Sequence, residues 1–232
     1  MIILGIESAT TQVGVAVGGH EGVLASAHSS RARRHAETLA PQIDFVRRQA
    51  RIELAEISVV AVDLGPGLYT GLRVGIASAM AMAYGLGVPM IGVSSLDLLA
   101  FPVRFSSKLI VAAIDARRGE LFTAFYRQVP GGVQRMTDYQ VHKPDDLASE
   151  LIATGDDILL VGDGAHRYSD VFDEVNKVEI VHKGLSYPGA ESLVELAHAR
   201  ALREEFVKPS ELRPLYLRKP DAEVNWVTRS DD

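Results

Sequence analysis

The chain opens with two short apolar runs, Ile2-Ile3-Leu4-Gly5-Ile6 and Val13-Gly14-Val15-Ala16-Val17, separated by the polar residues 7–12. A third run at residues 23–29 follows the turn residues Gly18-Gly19. Short apolar runs bounded by turn residues predict strands. This stretch therefore predicts a meander of three strands.

A helical pattern follows the meander. His35, Leu39, Ile43 and Val46 lie at steps of four, four and three, which predicts one helix over residues 31–51. Pro41 lies inside that segment and predicts a kink or a restart. Further along we predict a strand at 59–64, a helix at 72–86, a strand at 88–93 and a helix at 96–101 whose N-cap is Ser94 or Ser95. The order is β-β-β-α-β-α-β-α.

The second half of the chain repeats this order in reduced form. We predict a hairpin from residues 108–115 and 120–128, a strand at 135–141, a helix at 145–153 and strands at 158–161 and 178–181. A turn is predicted at Gly162-Asp163-Gly164, and an amphipathic helix at 191–206. Its expected core positions are Leu193, Leu196, Ala197 and Leu202. We therefore predict an α/β fold with two units, residues 1–102 and 103–232, and a tail that is extended to Leu217 and then disordered.

Composition excludes several classes of protein. The 232 residues are 47% hydrophobic and 23% charged, which is typical of globular domains. Cysteine is absent, so disulfides, thiolate metal sites and cysteine nucleophiles are excluded. A formal net charge of −6 argues against a nucleic-acid-binding protein that works alone. The first residues lack the basic region of a signal peptide, and no apolar run is long enough to span a bilayer, so we expect a cytoplasmic protein without membrane contact.

Catalytic motifs are missing from the sequence. No two of the seven histidines are three, four or five residues apart, which removes the usual histidine pairs of metal sites. Ser94 and Ser95 lie in a segment that lacks the second glycine of a G-x-S-x-G elbow. Neither a metal site nor a serine hydrolase is predicted.

Nucleotide binding remains an alternative. The segment Gly65-Pro66-Gly67-Leu68-Tyr69-Thr70-Gly71 lies between a predicted strand and a helix, where backbone N–H groups can meet phosphate. The same glycines also allow a sharp turn, and we favour that explanation. At the end of the first strand, the acid Glu7 and the hydroxyls of Ser8 and Thr10 could hold a Mg²⁺-bound phosphate. In the second half, Gly162 and Gly164 could form the matching loop on the nucleoside side.

Two surfaces could bind a partner. The helix at 72–86 is rich in glycine and alanine, so another helix can approach it closely, either within this chain or from a second protein. The helix at 31–51 carries an excess of arginine, which is either a solvated face or a basic patch for tRNA. The arginines are Arg31, Arg33, Arg34, Arg47, Arg48 and Arg51.

Four segments together resemble one protein family. They are the opening residues 3–10, the segment His35-Ala36-Glu37-Thr38-Leu39-Ala40-Pro41-Gln42-Ile43, the glycine-rich residues 65–75, and Pro214-Leu215-Tyr216-Leu217-Arg218. The chain resembles the TsaB (YeaZ) family, with Leu68-Tyr69 where that family usually has Ser-Phe. The resemblance implies the actin-like/Hsp70/sugar-kinase (ASKHA) fold. It also implies a non-catalytic subunit of the bacterial machinery that makes threonylcarbamoyladenosine on tRNA.

The resemblance further implies a set of partners. A TsaD-like catalytic subunit would transfer threonylcarbamoyl to adenosine 37 of tRNAs reading ANN codons, a TsaE-like ATPase would support turnover, and this chain would meet tRNA only through the complex. Alone it would form a homodimer, and it would hold no cofactor firmly, with ATP, ADP and Mg²⁺ possible in the complex. The implied partner-binding residues are His35, Leu39, Ile43, Val46, Gly71, Arg73, Gly75, Ala77, Ser78, Ala79 and Met82. The alternative is an ATP-dependent phosphotransferase or a peptidase-like enzyme of the same fold.

Overall fold

The structure, a computed structural model, describes residues 1–30 and 35–218. Its first sheet contains β1 (Ile2–Glu7), β2 (Val13–Gly19), β3 (Gly22–Ser29), β4 (Ile57–Asp63) and β5 (Met90–Val93). Their order is β3-β2-β1-β4-β5. The first three strands are antiparallel, whereas β4 pairs parallel with both β1 and β5. The predicted meander is confirmed.

The second sheet repeats this arrangement. It contains β6 (Leu109–Arg117), β7 (Glu120–Val129), β8 (Gly132–Arg135), β9 (Gln140–His142), β10 (Ile158–Val161) and β11 (Val178–Ile180). The order β11-β10-β6-β7-β8 places an antiparallel meander beside two parallel strands, as in the first sheet, and β9 also pairs with β7. The predicted α/β fold of two duplicated halves is confirmed.

Helices cover both faces of the first sheet. The helices are α1 (His35–Ala50), α2 (Tyr69–Leu86), α3 (Ser95–Ala100), α4 (Pro144–Thr154), α5 (Asp163–Arg167), α6 (Ser169–Phe172) and α7 (Ala190–Ala201). α1 and α2 share one hydrophobic core with the sheet, and α7 packs on its opposite face. Every residue of β2 is buried, as expected for a strand covered on both sides. The division at residues 102 and 103 stays a prediction, although α7 of the second half packs on the first sheet.

The helix α7 ends earlier than the sequence pattern predicts. It stops at Ala201 rather than at residue 206, and Leu202, a predicted core residue, is 69% exposed. The physical reason is the next segment. Val207 exchanges two backbone hydrogen bonds with Met90, of 2.9 and 3.0 Å, so the helix must stop for the chain to reach the first sheet. The predicted core positions Leu193 and Ala197 are confirmed as buried, and Leu196 is partly buried.

Two further predictions are corrected by the structure. The single strand predicted at 135–141 is two strands, because β8 and β9 pair with different parts of β7. Gly162 precedes the short helix α5 instead of lying in a simple turn. At Pro41 a kink or a restart is predicted; α1 continues through this residue, so the restart does not occur. Ser94 is the N-cap of α3, as one of the two predicted alternatives, and its hydroxyl accepts from the Leu96 N–H at 3.2 Å. The predictions for residues 219–232 lie outside the described residues.

Candidate functional site

The helix α2 packs a row of small residues against its own sheet. Gly71, Gly75, Ala79 and Ala83 follow one another at intervals of four, and all are buried. The Ser8 hydroxyl donates to the Gly71 carbonyl at 2.9 Å. A Cβ atom on Gly75 would lie 2.1 Å from the Ser8 hydroxyl oxygen. This half of the small-residue pattern therefore serves packing within the chain.

A second row of residues on α2 faces outward. Arg73, Ala77, Ala81 and Tyr84 are exposed, and they repeat at helical spacing. The two alanines lie between a guanidinium group and an aromatic ring that is 60% exposed. The guanidinium is held in place, because Arg73 Nη1 donates to the Tyr69 hydroxyl at 2.7 Å. The outward row is therefore shallow in its middle and bulky at its ends.

The helix α1 lies beside α2 on the same face of the sheet and carries exposed apolar residues of its own. Leu39 and Val46 point into the core, and Ile43 is half-buried. Pro41 is exposed, and Phe45 leaves 51% of its surface exposed. Large apolar side chains that stay exposed mark interaction surfaces more often when they lie together. We call the exposed residues Pro41, Phe45, Arg73, Ala77, Ala81 and Tyr84 the α1–α2 face.

The partner-binding residues implied by the sequence divide between core and surface. Buried are Leu39, Val46, Gly71, Gly75 and Ala79. Half-buried are Ile43, Ser78 and Met82, and exposed are Arg73 and Ala77. His35 begins α1, and its side chain lies outside the described residues. Phe45, Ala81 and Tyr84 are also exposed on these two helices but are not among the residues that the resemblance implies, although Ala81 is one helical repeat beyond Ala77.

The basic patch predicted on α1 is partly neutralised. Arg47 forms ion pairs with Asp44 and Glu53, at 3.1 and 3.2 Å, and Arg48 pairs with Asp44 at 2.8 Å. Hydrogen bonds from Arg47 and Arg48 lower the pKa of Asp44. Arg51 is exposed, whereas Arg31, Arg33 and Arg34 lie outside the described residues. The positive charges of Arg47 and Arg48, the arginines that the structure describes on α1, are thus balanced by Asp44 and Glu53.

A cleft of about 420 Å³ opens beside the glycine-rich loop. Residues 66–70 line one wall, and the β6–β7 turn with residues 215–218 lines the other. The loop itself is packed tightly, since the Leu68 N–H donates to the Ala9 carbonyl at 2.6 Å and a Cβ atom on Gly67 would lie 2.1 Å from the same oxygen. Gly65 has a φ of +94°, which favours glycine. The sharp-turn explanation for these glycines therefore accounts for the loop.

The candidate nucleotide-binding residues are buried by atoms of the chain itself. Glu7, Ser8 and Thr10 are at most 3% exposed. Glu7 Oε1 accepts from the Ala9 N–H at 2.8 Å, and Ser8 is bonded to α2. In the second half, Cβ atoms on Gly162 and Gly164 would lie 2.1 and 2.9 Å from the Ala113 carbonyl oxygen. Both loops are filled by the chain's own atoms.

Two buried carboxyl groups lie together at the ends of β1 and β4. Ile6 pairs with Val62, so Glu7 and Asp63 follow at the same edge of the sheet. Burial raises the pKa of Asp63 to about 7, against the opposing effect of hydrogen bonds from Ser95 and the Gly65 N–H. Burial, and then the charge of Asp63, raises the pKa of Glu7 well above its usual range. Glu7 Oε2 accepts no hydrogen bond from the described residues. This pair therefore favours protonated carboxyl groups in the folded state.

Within residues 1–30 and 35–218, no three His, Asp or Glu side chains are grouped so that they could hold a metal ion. Across that part of the chain, no helix combines the length and apolar character needed to cross a bilayer.

Comparisons with known proteins give a consistent family. A family model described as TsaD, tRNA N6-adenosine threonylcarbamoyltransferase, matches residues 22–226. The tRNA threonylcarbamoyladenosine biosynthesis protein TsaB of Escherichia coli is 28% identical over 221 residues, covering 94% of this chain and 95% of that protein. The TsaB protein of Haemophilus influenzae is 30% identical over 207 residues, covering 84% of this chain and 83% of its own.

A solved structure agrees with these relatives. YeaZ from Pseudomonas aeruginosa superposes with a TM-score of 0.79 at 25% identity, over 93% of this chain and 99% of that one. The description of the family model and the names of these relatives both refer to the threonylcarbamoyl modification of tRNA adenosine. We conclude that the chain belongs to the TsaB (YeaZ) family.

Proposed function

We propose that this chain acts in tRNA threonylcarbamoyladenosine biosynthesis as a non-catalytic subunit that binds a TsaD-like catalytic subunit. Family membership supports the pathway, since the curated relatives carry this process in their names. The expected reaction is threonylcarbamoyl transfer to adenosine 37 of tRNAs that read ANN codons. Because tRNA is the substrate, we place the protein in the cytoplasm.

The α1–α2 face carries the proposal for partner binding. Its middle is formed by Ala77 and Ala81, so a partner helix can approach the α2 backbone closely and gain dense contacts. Tyr84 and Phe45 remain 60% and 51% exposed, and aromatic side chains are enriched in interface cores. Two identical faces of this kind can also pair, which supports a homodimer when the catalytic subunit is absent.

The buried candidate residues support a role without chemistry of its own. Glu7 and Ser8 are buried, and Gly162 lies close to the Ala113 carbonyl of β6. These positions therefore leave no space for a nucleotide. In this proposal ATP, ADP and Mg²⁺ act in the assembled complex, where a TsaE-like ATPase joins. The chain meets tRNA there as well, through its partner.

Light scattering after size exclusion tests the proposal. The chain alone and the chain mixed with the TsaD-like paralogue of the same organism are compared by molar mass. We expect a stable complex of the two. Absence of a complex at every salt and nucleotide condition, together with saturable heat from titration of Mg·ATP into the isolated chain, would support the phosphotransferase alternative instead.

A further inference from the structure

A second cavity, of about 830 Å³, lies on the side of the first sheet that is opposite to the α1–α2 face. It is formed by α3, α7, the β2–β3 turn and the β7–β8 hairpin, so both halves of the chain contribute. Ligand pockets commonly have volumes of about 300–1,000 Å³. We call this cavity the arginine pocket, after Arg104, Arg135, Arg200 and Arg203, which line it.

A fixed carboxylate forms one wall of the pocket. Asp97 accepts hydrogen bonds from the Tyr126 hydroxyl at 2.9 Å and from the Tyr139 hydroxyl at 3.1 Å. Burial raises the pKa of Tyr139 to about 12, so its hydroxyl keeps the proton that it donates. Arg200 Nη2 lies 3.6 Å from Asp97 Oδ2. The negative charge of Asp97 is therefore already shared by three donors.

The arginines keep unused hydrogen-bonding capacity. A guanidinium group has five N–H donors. Arg200 also donates to the Gly92 carbonyl at 2.6 Å, and Arg104 donates to the Phe101 carbonyl at 3.0 Å. The distance from Arg104 Nη2 to Glu195 Oε2 is 3.8 Å, which is longer than the about 2.7–2.9 Å of a direct charged hydrogen bond. Both side chains therefore retain donors for a ligand.

Arg135 supplies the excess charge. Within the part of the chain that the structure describes, it has no carboxylate at ion-pair distance, and its guanidinium carbon lies 3.8 Å from the centre of the Tyr139 ring. One face of the guanidinium group is held by this ring, which fixes its position without neutralising it. The other arginines of the pocket have acidic neighbours, namely Glu195, Asp97 and Glu205.

One residue that lines the pocket tolerates a larger side chain. Gly132 lines the pocket, its φ is not positive, and a Cβ atom there would meet nothing within 4 Å. Packing and backbone geometry thus do not require glycine at this position. A larger side chain can therefore be placed there to reduce the space in the pocket without strain in the fold.

We propose that the arginine pocket binds a small molecule that carries a phosphate monoester, with Arg135 as its main charge contact. Several guanidinium groups with spare donors around one cavity suit the three terminal oxygens of a phosphate. A concave pocket suits a small molecule, whereas an RNA backbone needs a positive stripe along the surface. This role is separate from partner binding, because the pocket and the α1–α2 face lie on opposite sides of the sheet.

Calorimetric titration of the full chain with inorganic phosphate and adenosine 5′-monophosphate tests the proposal, with adenosine as the probe that lacks phosphate. We expect saturable binding of the phosphate probes and none of adenosine. Arg135→Ala and, independently, Gly132→Leu should each weaken binding at least about tenfold. Arg48→Ala, an exposed arginine outside the pocket, should leave it unchanged, and the melting temperatures of all variants should match the parent.

Several outcomes would overturn the proposal. These are no saturation at about 10 mM of either phosphate probe, equal binding of adenosine and its monophosphate, or full affinity in both pocket variants. Binding of tRNA that Arg135→Ala weakens, without binding of either phosphate probe, would assign the pocket to nucleic acid and would also reject the small-molecule ligand. None of these results depends on the TsaD-like subunit, so the proposed function is tested separately.

Discussion

Gly75 of α2 passes so close to Ser8 at the end of β1 that a Cβ atom on Gly75 would lie 2.1 Å from the Ser8 hydroxyl oxygen. One turn earlier, the same hydroxyl donates to the Gly71 carbonyl at 2.9 Å. These contacts fix both the height of α2 above the sheet and its rotation about its axis. The direction in which Arg73, Ala77 and Ala81 face the solvent follows from that placement.

Replacement of Gly75 by alanine tests this close approach. We expect Gly75→Ala to lower the free energy of unfolding by about 1–3 kcal/mol, because the added methyl group collides with Ser8. Gly85→Ala is the matched control in the same helix, since a Cβ atom at Gly85 meets nothing within 4 Å. It should raise stability by up to about 1 kcal/mol. Urea denaturation measures both, and equal effects of the two changes would contradict the packing argument.

The buried carboxyl pair predicts a dependence of stability on pH. The pKa of Asp63 is about 7 in the folded chain, compared with about 4 in an unfolded one. A raised carboxyl pKa stabilises the fold fully below the unfolded value, and this contribution is lost as pH rises through about 7. Glu7 acts in the same direction.

Asp63→Asn removes one titrating group of the pair. Relative to the parent, we expect this variant to gain about 2 kcal/mol of stability between pH 5 and pH 8. Glu174→Gln, at an exposed carboxylate, serves as the control and should show no such gain. Denaturation midpoints measured from pH 5 to pH 8 test this expectation. A stability of Asp63→Asn that rises relative to the parent as the pH falls would contradict it.

The hydrogen bond between Tyr126 and Asp97 joins the two halves of the chain. Tyr126 is 1% exposed, so Tyr126→Phe leaves the ring packed and removes only the donor. We expect a loss of about 1–2 kcal/mol in the free energy of unfolding. Tyr84→Phe, whose side chain is largely exposed, should change stability by no more than about 0.5 kcal/mol. A similar small effect for both tyrosines would show that this hydrogen bond contributes little.

The early end of α7 predicts different effects at two leucines. Leu193 is fully buried, whereas Leu202 is 69% exposed just beyond the helix. Leu193→Ala should cost about 2–5 kcal/mol, and Leu202→Ala should stay within about 0.5 kcal/mol of the parent. Thermal or urea unfolding compares them directly. A large loss of stability in Leu202→Ala would contradict the early helix end and would favour the longer amphipathic helix that the sequence pattern predicts.

Local patterns in the sequence were sufficient to predict most of the fold. The alternation of apolar runs and turns locates the strands of the first sheet, and Ser94, one of the two alternative N-caps, is the N-cap of α3. The pattern failed where a distant partner decides the structure. Val207 pairs with Met90 and thereby ends α7, and β7 divides one predicted strand into β8 and β9.

The candidate site was only partly predictable. Small residues on α2 indicated close packing, but a spacing of four cannot tell the inward row at Gly71 and Gly75 from the outward row at Ala77 and Ala81. That assignment requires the position of Ser8 in space. The arginine pocket could not be predicted at all, because Asp97, Arg135 and Arg200 are far apart along the chain and no local motif connects them.

Binding of the TsaD-like subunit to two charged variants tests the central claim most directly. Ala77→Arg places a long side chain in the shallow middle of the α1–α2 face, and Ala153→Arg places one at an exposed position of α4 in the second half. With both variants folded as judged by circular dichroism and melting temperature, we expect Ala77→Arg to weaken the complex at least about tenfold, or about 1.4 kcal/mol. Ala153→Arg should bind as the parent does. Parental affinity for Ala77→Arg, or an equal loss for both variants, would contradict the assignment of this face to partner binding.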